Sequence, residues 1–128
     1  MESTDWRRRG RDTSLPPSRQ KVRTLDEVAA IAEAARREGR RVALAHGVFD
    51  LLHLGHVRHL EEARRHGDLL VVTVTADAYV NKGPGRPVFS EQLRAQMVAA
   101  LEHVDAVAVN RSEERRVGKE RRSRWAPY

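Results

Sequence analysis

The run LLVVTVT at residues 69–75 constrains the fold most strongly, because every position in it is apolar or β-branched. A strand with one solvated face alternates apolar and polar side chains, whereas an unbroken run indicates a strand that is covered on both faces. Strands of that kind occur in parallel sheets with helices packed on either side. The run therefore predicts an α/β fold.

Helical and extended patterns alternate along the chain around this run. Thr24 and Glu27 form a capping-box pattern, apolar residues then recur at helical spacing, and Gly39 ends the helix. A second helix is predicted over 56–66 and a third after Ser90. The inward positions of the third helix are predicted to be Leu93, Met97, Val98 and Leu101. Strands are predicted over 42–46, 69–75 and 104–109. This order predicts right-handed crossovers and a Rossmann-like parallel sheet of three strands with flanking helices.

The net charge of +6 is located in the two ends of the sequence. Residues 1–23 and residues 111–128 each hold seven basic and three acidic side chains, whereas residues 24–110 hold ten and twelve. The ends also lack a periodic apolar pattern. We therefore expect a disordered basic tail over 1–23, a globular domain over 24–110 and a second disordered tail over 111–128. Basic tails are usually solvated, so no nucleic-acid partner is expected.

Composition excludes several classes of protein. The chain has no cysteine, which removes disulfides, thiolate metal sites and cysteine nucleophiles. Its longest apolar runs fall far short of the ~18 residues that a membrane helix needs, and no apolar stretch follows the basic residues 7–9 as it would in a secretory signal. A cytoplasmic location with no membrane partner is expected.

The segment GVFDLLHLGH at residues 47–56 carries the most specific chemical signal. It follows a predicted strand and leads into a predicted helix. Gly47 allows a tight turn and a close approach of the backbone to a ligand, and Gly55 leaves space at the helix N-terminus, where N–H groups attract phosphate. His53 and His56 add imidazole donors beside the anion, able to stabilise developing charge. The pattern predicts a phosphate-binding site.

This GxFDxxHxGH segment resembles the signature of the cytidylyltransferase-like nucleotidyltransferases. Residues 55–77 and 81–110 are also similar to the adenylyltransferase domain of heptose-phosphate and related sugar-phosphate nucleotidyltransferases, so the resemblance covers about residues 24–110. It implies an enzyme that transfers AMP or CMP from an NTP to a sugar (heptose-like) or polyol phosphate, with release of pyrophosphate. ATP is favoured over CTP, and a homodimer is compatible with the family.

The resemblance also implies roles for individual residues. The implied catalytic residues are His53, His56 and Lys82. The implied nucleotide-binding residues are Gly47, Val48, Phe49, Asp50, Gly55 and His56, and the implied substrate contacts are Asp77, Arg86 and Arg94. No metal ligand is expected from the protein, and Mg²⁺ is expected to bind through the NTP phosphates.

Alternative interpretations remain open for several of these residues. Asp50 is also suited to orienting the turn through its own backbone, and residues 82–87 to serving as a flexible connection. Arg94 has the pattern of an ordinary solvated helix residue. For the whole chain, the alternatives are a non-catalytic nucleotide-binding remnant and, less favoured, a basic nucleic-acid-binding module whose binding would depend steeply on salt.

The segment RSEERRVGKERRSRWAPY, residues 111–128, does not continue the family's pattern. It closely resembles a peptide translated from a common sequencing adapter. We therefore expect it to be an artefactual tail and the nucleotidyltransferase domain to be truncated after its third strand.

Overall fold

The computed structural model describes residues 14–80 and 83–111. A parallel sheet forms its centre, with strands β1 (Val42–Gly47), β2 (Leu69–Thr75) and β3 (Ala106–Asn110) in the order β1-β2-β3. The helices are α1 (Pro17–Gln20), α2 (Leu25–Arg37), α3 (Leu54–Arg64) and α4 (Glu91–Ala99), with a short 3₁₀ helix at Asp77–Tyr79. The predicted fold class, an α/β Rossmann-like sheet with flanking helices, is confirmed.

The central strand β2 explains the unbroken apolar run in the sequence. Six of its seven residues are buried, because α3 and α4 cover one face of the sheet and α2 covers the other. Leu70 and Val72 pack on the side of α3 and α4, whereas Leu69 and Val71 pack on the side of α2. Burying each of these side chains contributes roughly 1.5–3 kcal/mol.

Helix α2 begins and ends as its sequence predicts. The main-chain N–H of Glu27 donates to the hydroxyl of Thr24 at 3.1 Å, and the N–H of Thr24 donates to the Glu27 carboxylate at 2.9 Å. This capping box satisfies two N–H groups that a helix start leaves unpaired. Gly39 follows the helix with φ of 81°, a left-handed conformation that favours glycine.

Helix α4 begins after Ser90 as predicted but presents a different face to the sheet. Ser90 accepts a hydrogen bond from the N–H of Leu93, yet the Leu93 side chain is 49% exposed. Arg94 and Val98, which are four residues apart on one stripe, are fully buried instead. The prediction that Leu93 points inward is therefore wrong, whereas the prediction for Val98 is confirmed.

Residues 14–23 are ordered, so the prediction of disorder over 1–23 is wrong for this part. The segment runs beside β3, where Arg23 N–H donates to Val107 O at 2.8 Å and Val107 N–H donates to Lys21 O at 2.9 Å. These bonds occupy polar groups on the edge of β3 that otherwise need another partner. Residues 1–13 and 112–128 lie outside the described residues, and the tails and domain boundaries proposed for them stay predictions.

Candidate functional site

The polar residues singled out from the sequence collect beyond the carboxyl ends of β1 and β2. Residues 48–53 connect β1 to α3, and residues 76–90 connect β2 to α4. Because the strands are parallel, both connections leave the sheet at the same edge. This edge is where ligands bind in open α/β sheets.

The two histidines of the motif cap helix α3 together. The main-chain N–H of Gly55 donates to Nδ1 of His53 at 3.0 Å, and the N–H of His53 donates to Nδ1 of His56 at 3.2 Å. The ring centroids are 4.0 Å apart with planes tilted by 31°. This is the reciprocal geometry of a capping box built from two imidazoles.

The capping bonds define which nitrogen of each imidazole carries the proton. Because Nδ1 of His53 and of His56 accepts a main-chain N–H, the neutral form of each ring has its hydrogen on Nε2. Both rings therefore use Nε2–H as the donor atom. The sequence predicted two imidazole donors here but not the backbone bonds that select their tautomer.

Gly55 is needed for the position of the His53 ring. A Cβ atom on Gly55 would lie 2.7 Å from Cε1 of His53, closer than real Cβ contacts come. Any side chain at position 55 therefore displaces the ring. The prediction that Gly55 leaves space at the helix start is consistent with this contact.

Phe49 adopts a backbone conformation that is unusual for its residue type. Its φ of 56° lies in the left-handed region, which costs on the order of 1–3 kcal/mol for a residue other than glycine. Its ring is buried, packs on Gly47 and lies 5.3 Å from the ring of His56 in an edge-on arrangement. A Cβ on Gly47 would lie 3.0 Å from the ring, so Gly47 provides the space that Phe49 fills.

The carboxylate of Asp50 holds the connection that precedes α4. Its side chain has no exposed surface and accepts hydrogen bonds from the N–H groups of Val88 and Phe89 and from the Arg86 guanidinium at 3.0 Å. Burial by itself raises the pKa of this carboxyl, but the three donors outweigh it and hold the pKa below its ordinary value. These partners lie 36–39 residues away, so Asp50 does more than orient its own turn.

Arg94 occupies the centre of the site with no exposed surface. Its guanidinium donates to the carbonyls of Phe89, Val48 and Thr75 at 2.8–2.9 Å and to the carboxylate of Asp77. The interpretation of Arg94 as a solvated helix residue is wrong. A substrate cannot contact a fully buried side chain, so the implied substrate contact of Arg94 is also not supported in this conformation.

Asp77 and Arg86 remain partly exposed at the rim of the site. The Asp77 side chain is 42% exposed, with one oxygen held by Arg94, and its main-chain N–H donates to Glu91 at 2.9 Å. The Arg86 side chain is 36% exposed and donates to both the carboxylate and the carbonyl of Asp50. Both residues therefore present charge at this edge of the sheet.

The structure thus brings ten of the eleven predicted site residues to one edge of the sheet. They are Gly47, Val48, Phe49, Asp50, His53, Gly55, His56, Asp77, Arg86 and Arg94. Lys82 lies outside the described residues, so its catalytic role stays a prediction. Sequence reasoning missed the N–H groups of Val88 and Phe89, because main-chain donors leave no residue-type signal.

Residues 14–80 and 83–111 contain no group of three or more His, Cys, Asp or Glu side chains placed to hold a metal ion. They also contain no helix with the length and apolar character needed to cross a membrane.

Comparison with known proteins gives matches over most of the chain. A family model described as cytidylyltransferase-like matches residues 44–124. This range extends beyond Asn110, the predicted end of the domain, and that boundary stays a prediction. Two similar curated proteins are both named Bifunctional protein HldE. The one from Geotalea uraniireducens is 47% identical over 96 residues, covering 73% of this chain and 20% of the relative.

The relative from Methylobacillus flagellatus is 51% identical over 89 residues, covering 68% of this chain and 18% of the relative. The chain therefore spans about a fifth of the length of the curated relatives that it matches. A solved structure is also similar, that of the lipopolysaccharide core biosynthesis protein from Thermoplasma volcanium. It has a TM-score of 0.57 and 32% sequence identity and covers 65% of this chain and 68% of that chain.

Proposed function

Because the chain belongs to the cytidylyltransferase-like family, we propose that it transfers AMP or CMP from an NTP to a sugar or polyol phosphate. An oxygen of the acceptor phosphate bonds to the α-phosphorus of the NTP while the bond from that phosphorus to the β-phosphate breaks, and pyrophosphate leaves. The acceptor phosphate is already anionic at neutral pH. Catalysis can therefore rest on alignment and on stabilising charge in the transition state.

One observation carries this proposal: a main-chain N–H donates to Nδ1 of both His53 and His56, which leaves Nε2–H as the donor of each neutral ring. A preorganised donor loses no energy to reorientation when charge develops on the phosphate. In the proposed complex, the two imidazoles donate to oxygens of the triphosphate at the N-terminus of α3. The N–H groups and dipole of this helix end add to the attraction.

The remaining charged residues have proposed roles around this centre. Lys82 neutralises phosphate charge, and Arg86 and Asp77 contact the acceptor from the rim. When bound through the NTP phosphates, Mg²⁺ would neutralise part of their charge, and it usually keeps several waters with few protein ligands.

The proposed nucleotide is ATP and the proposed acceptor is a heptose-like phosphate, which would place the reaction in carbohydrate biosynthesis. Support comes from the similarity to the two HldE proteins and to the lipopolysaccharide core biosynthesis protein. A homodimer is the proposed assembly, and sedimentation of the full chain tests it independently.

The test measures binding and turnover separately with the full chain. Calorimetry with ATP and with CTP gives affinity, and pyrophosphate release in the presence of a heptose phosphate gives turnover. The variant His53→Ala should lose ATP binding, whereas His66→Ala, at the other end of α3 and paired with Glu62, should keep it.

Each outcome of this test has a meaning. Pyrophosphate release that needs the heptose phosphate and is lost in His53→Ala supports the proposal. ATP binding without release supports the alternative of a nucleotide-binding remnant. Absence of NTP binding, together with salt-dependent nucleic-acid binding that survives His53→Ala, replaces the proposal with the nucleic-acid module.

A further inference from the structure

Hydrogen bonds made by Arg94 and Asp50 enclose Phe49. Arg94 donates to Val48 O and to Phe89 O, each at 2.9 Å. The N–H of Phe89 donates to the Asp50 carboxylate at 3.2 Å. Val48 and Asp50, the two neighbours of Phe49, are therefore both linked to Phe89. The buried side chain of Arg94 makes the link from Val48, and the buried carboxylate of Asp50 makes the other.

These hydrogen bonds surround Phe49, which is the one residue other than glycine with positive φ among those that the structure describes. A left-handed conformation at phenylalanine persists only where its surroundings hold it in place. Here the carbonyl before Phe49 and the carboxylate after it are both held. The conformation places the Phe49 ring on Gly47 and with its edge towards His56.

We infer that Arg94 is a positioning residue that sets the orientation of the His56 imidazole through Val48 and Phe49. Lysine cannot replace it, because four acceptors around one guanidinium require donors on three separate nitrogens, whereas an ammonium has one nitrogen. Arg94 acts without touching the substrate, which agrees with its burial. The consequence for nucleotide affinity rests on the proposed function, whereas the consequence for His56 does not.

The test compares the wild-type chain with Arg94→Lys in two measurements. Long-range proton–nitrogen correlation spectra of the isotope-labelled full chain, at a pH where imidazoles are neutral, report the tautomer of each histidine, and His56→Gln assigns the His56 signal. Calorimetry reports ATP affinity. The matched control is Arg64→Lys, because Arg64 also donates to a main-chain carbonyl, Gly67 O at 2.7 Å, at the opposite edge of the sheet.

The expected result for Arg94→Lys is a His56 signal that moves towards a mixture of tautomers and an ATP dissociation constant more than tenfold higher. Arg64→Lys should leave both within twofold of wild type, whatever its effect on stability. A wild-type His56 signal in folded Arg94→Lys overturns the inference. If the wild-type chain binds no ATP, the proposed function fails while the His56 signal still decides the role of Arg94.

A second variant covers the case in which Arg94→Lys does not fold. Phe49→Leu keeps an apolar side chain on Gly47 but removes the ring edge that faces His56. It should change the His56 signal in the same direction as Arg94→Lys. An unchanged His56 signal in Phe49→Leu overturns the inference, because the path from Arg94 to His56 runs through that ring.

Discussion

Both carboxylate oxygens of Asp50 lie 3.0 Å from the main-chain nitrogen of Val88. The two residues belong to different connections, one after β1 and one before α4, so a single carboxylate joins the two connections that form the site. The contact depends on charge, because an ionised carboxylate is a stronger acceptor than a carboxylic acid and accepts at both oxygens. Stability and site geometry are therefore both linked to the ionisation of Asp50.

We predict that Asp50 contributes stability above the pKa of an unfolded aspartate, about 3.9, and that this contribution is lost as the pH falls below it. The sign follows from the lowered pKa of Asp50 in the folded state, since the unfolded state then binds the proton more tightly. Urea unfolding at about pH 7 and about pH 3 should show a smaller loss for Asp50→Asn than for wild type. Equal losses would contradict the prediction.

Asp68 is a second aspartate with a lowered pKa, and it separates the effect on stability from the effect on ATP affinity. The N–H of Arg41 donates to its carboxylate at 2.7 Å and, with smaller contributions from the charges of Arg41 and Arg40, lowers its pKa. Asp68→Asn should therefore also flatten the acid dependence of the free energy of unfolding. Because Asp68 precedes β2 at the opposite edge of the sheet, ATP affinity at about pH 7 should fall in Asp50→Asn and not in Asp68→Asn.

We predict that Gly55→Ala separates ligand binding from stability. The new methyl group would lie 2.7 Å from the His53 ring, which is exposed and can move aside. Displacing the ring breaks its cap on the Gly55 N–H, which costs about 1 kcal/mol, but alanine is the better helix former by roughly 0.8–1 kcal/mol. The two effects offset each other, so thermal stability should stay close to that of the wild type. ATP affinity, measured by calorimetry, should fall by more than tenfold because the His53 donor is displaced.

Gly67→Ala is the matched comparison, with the opposite expectation. A Cβ there would lie 2.8 Å from the backbone nitrogen of Ala43, which cannot move aside as a side chain can. Overpacking of this kind costs roughly 1–3 kcal/mol. The folded fraction should still bind ATP with wild-type affinity. Loss of affinity in Gly67→Ala and not in Gly55→Ala would contradict the assignment of the site.

We predict that Val98→Ala destabilises the chain far more than Leu93→Ala, although leucine is the larger side chain. Val98 is fully buried between α4 and the sheet, so its truncation should cost about 2 kcal/mol in lost burial and cavity formation. Leu93 is 49% exposed, and its truncation should change the free energy of unfolding by less than about 0.5 kcal/mol. Chemical denaturation of both variants gives the comparison, and the reverse order would contradict the observed face of α4.

The difference between Leu93 and Arg94 shows which parts of the fold a sequence predicts. The run at 69–75 and the capping box at Thr24 depend on neighbouring residues, and both were predicted from local pattern. The burial of Arg94 depends on carbonyls and a carboxylate that lie 5 to 46 residues away, which periodicity does not encode. An apolar-face analysis therefore selects leucine over arginine for the buried position.

The same distinction applies to residues 14–23 and to the site. Their pairing with Val107 joins segments about 85 residues apart, so composition alone indicated disorder. The paired histidines, in contrast, follow the spacing of a capping box, with His53 at the N-cap and His56 three residues later. That signal was present in the sequence but was concealed because neither position holds the usual serine, threonine or glutamate.

We predict that the capping role and the phosphate-binding role of the histidines can be separated by substitution. Asparagine is a strong N-cap residue whose carbonyl oxygen can accept the Gly55 N–H, and glutamine at the third helical position can accept the N–H of residue 53. The double variant His53→Asn, His56→Gln should therefore keep thermal stability close to wild type while ATP affinity and turnover fall by at least tenfold.

The single variant His53→Ala should also lose ATP affinity but, unlike the double variant, should cost about 1 kcal/mol of stability, because alanine removes the cap. Thermal unfolding and calorimetry on the same samples make the comparison. ATP affinity that survives in the double variant would mean that the imidazoles serve only to start α3, and the phosphate-binding role would then pass to the helix N-terminus and to Arg86 at the rim.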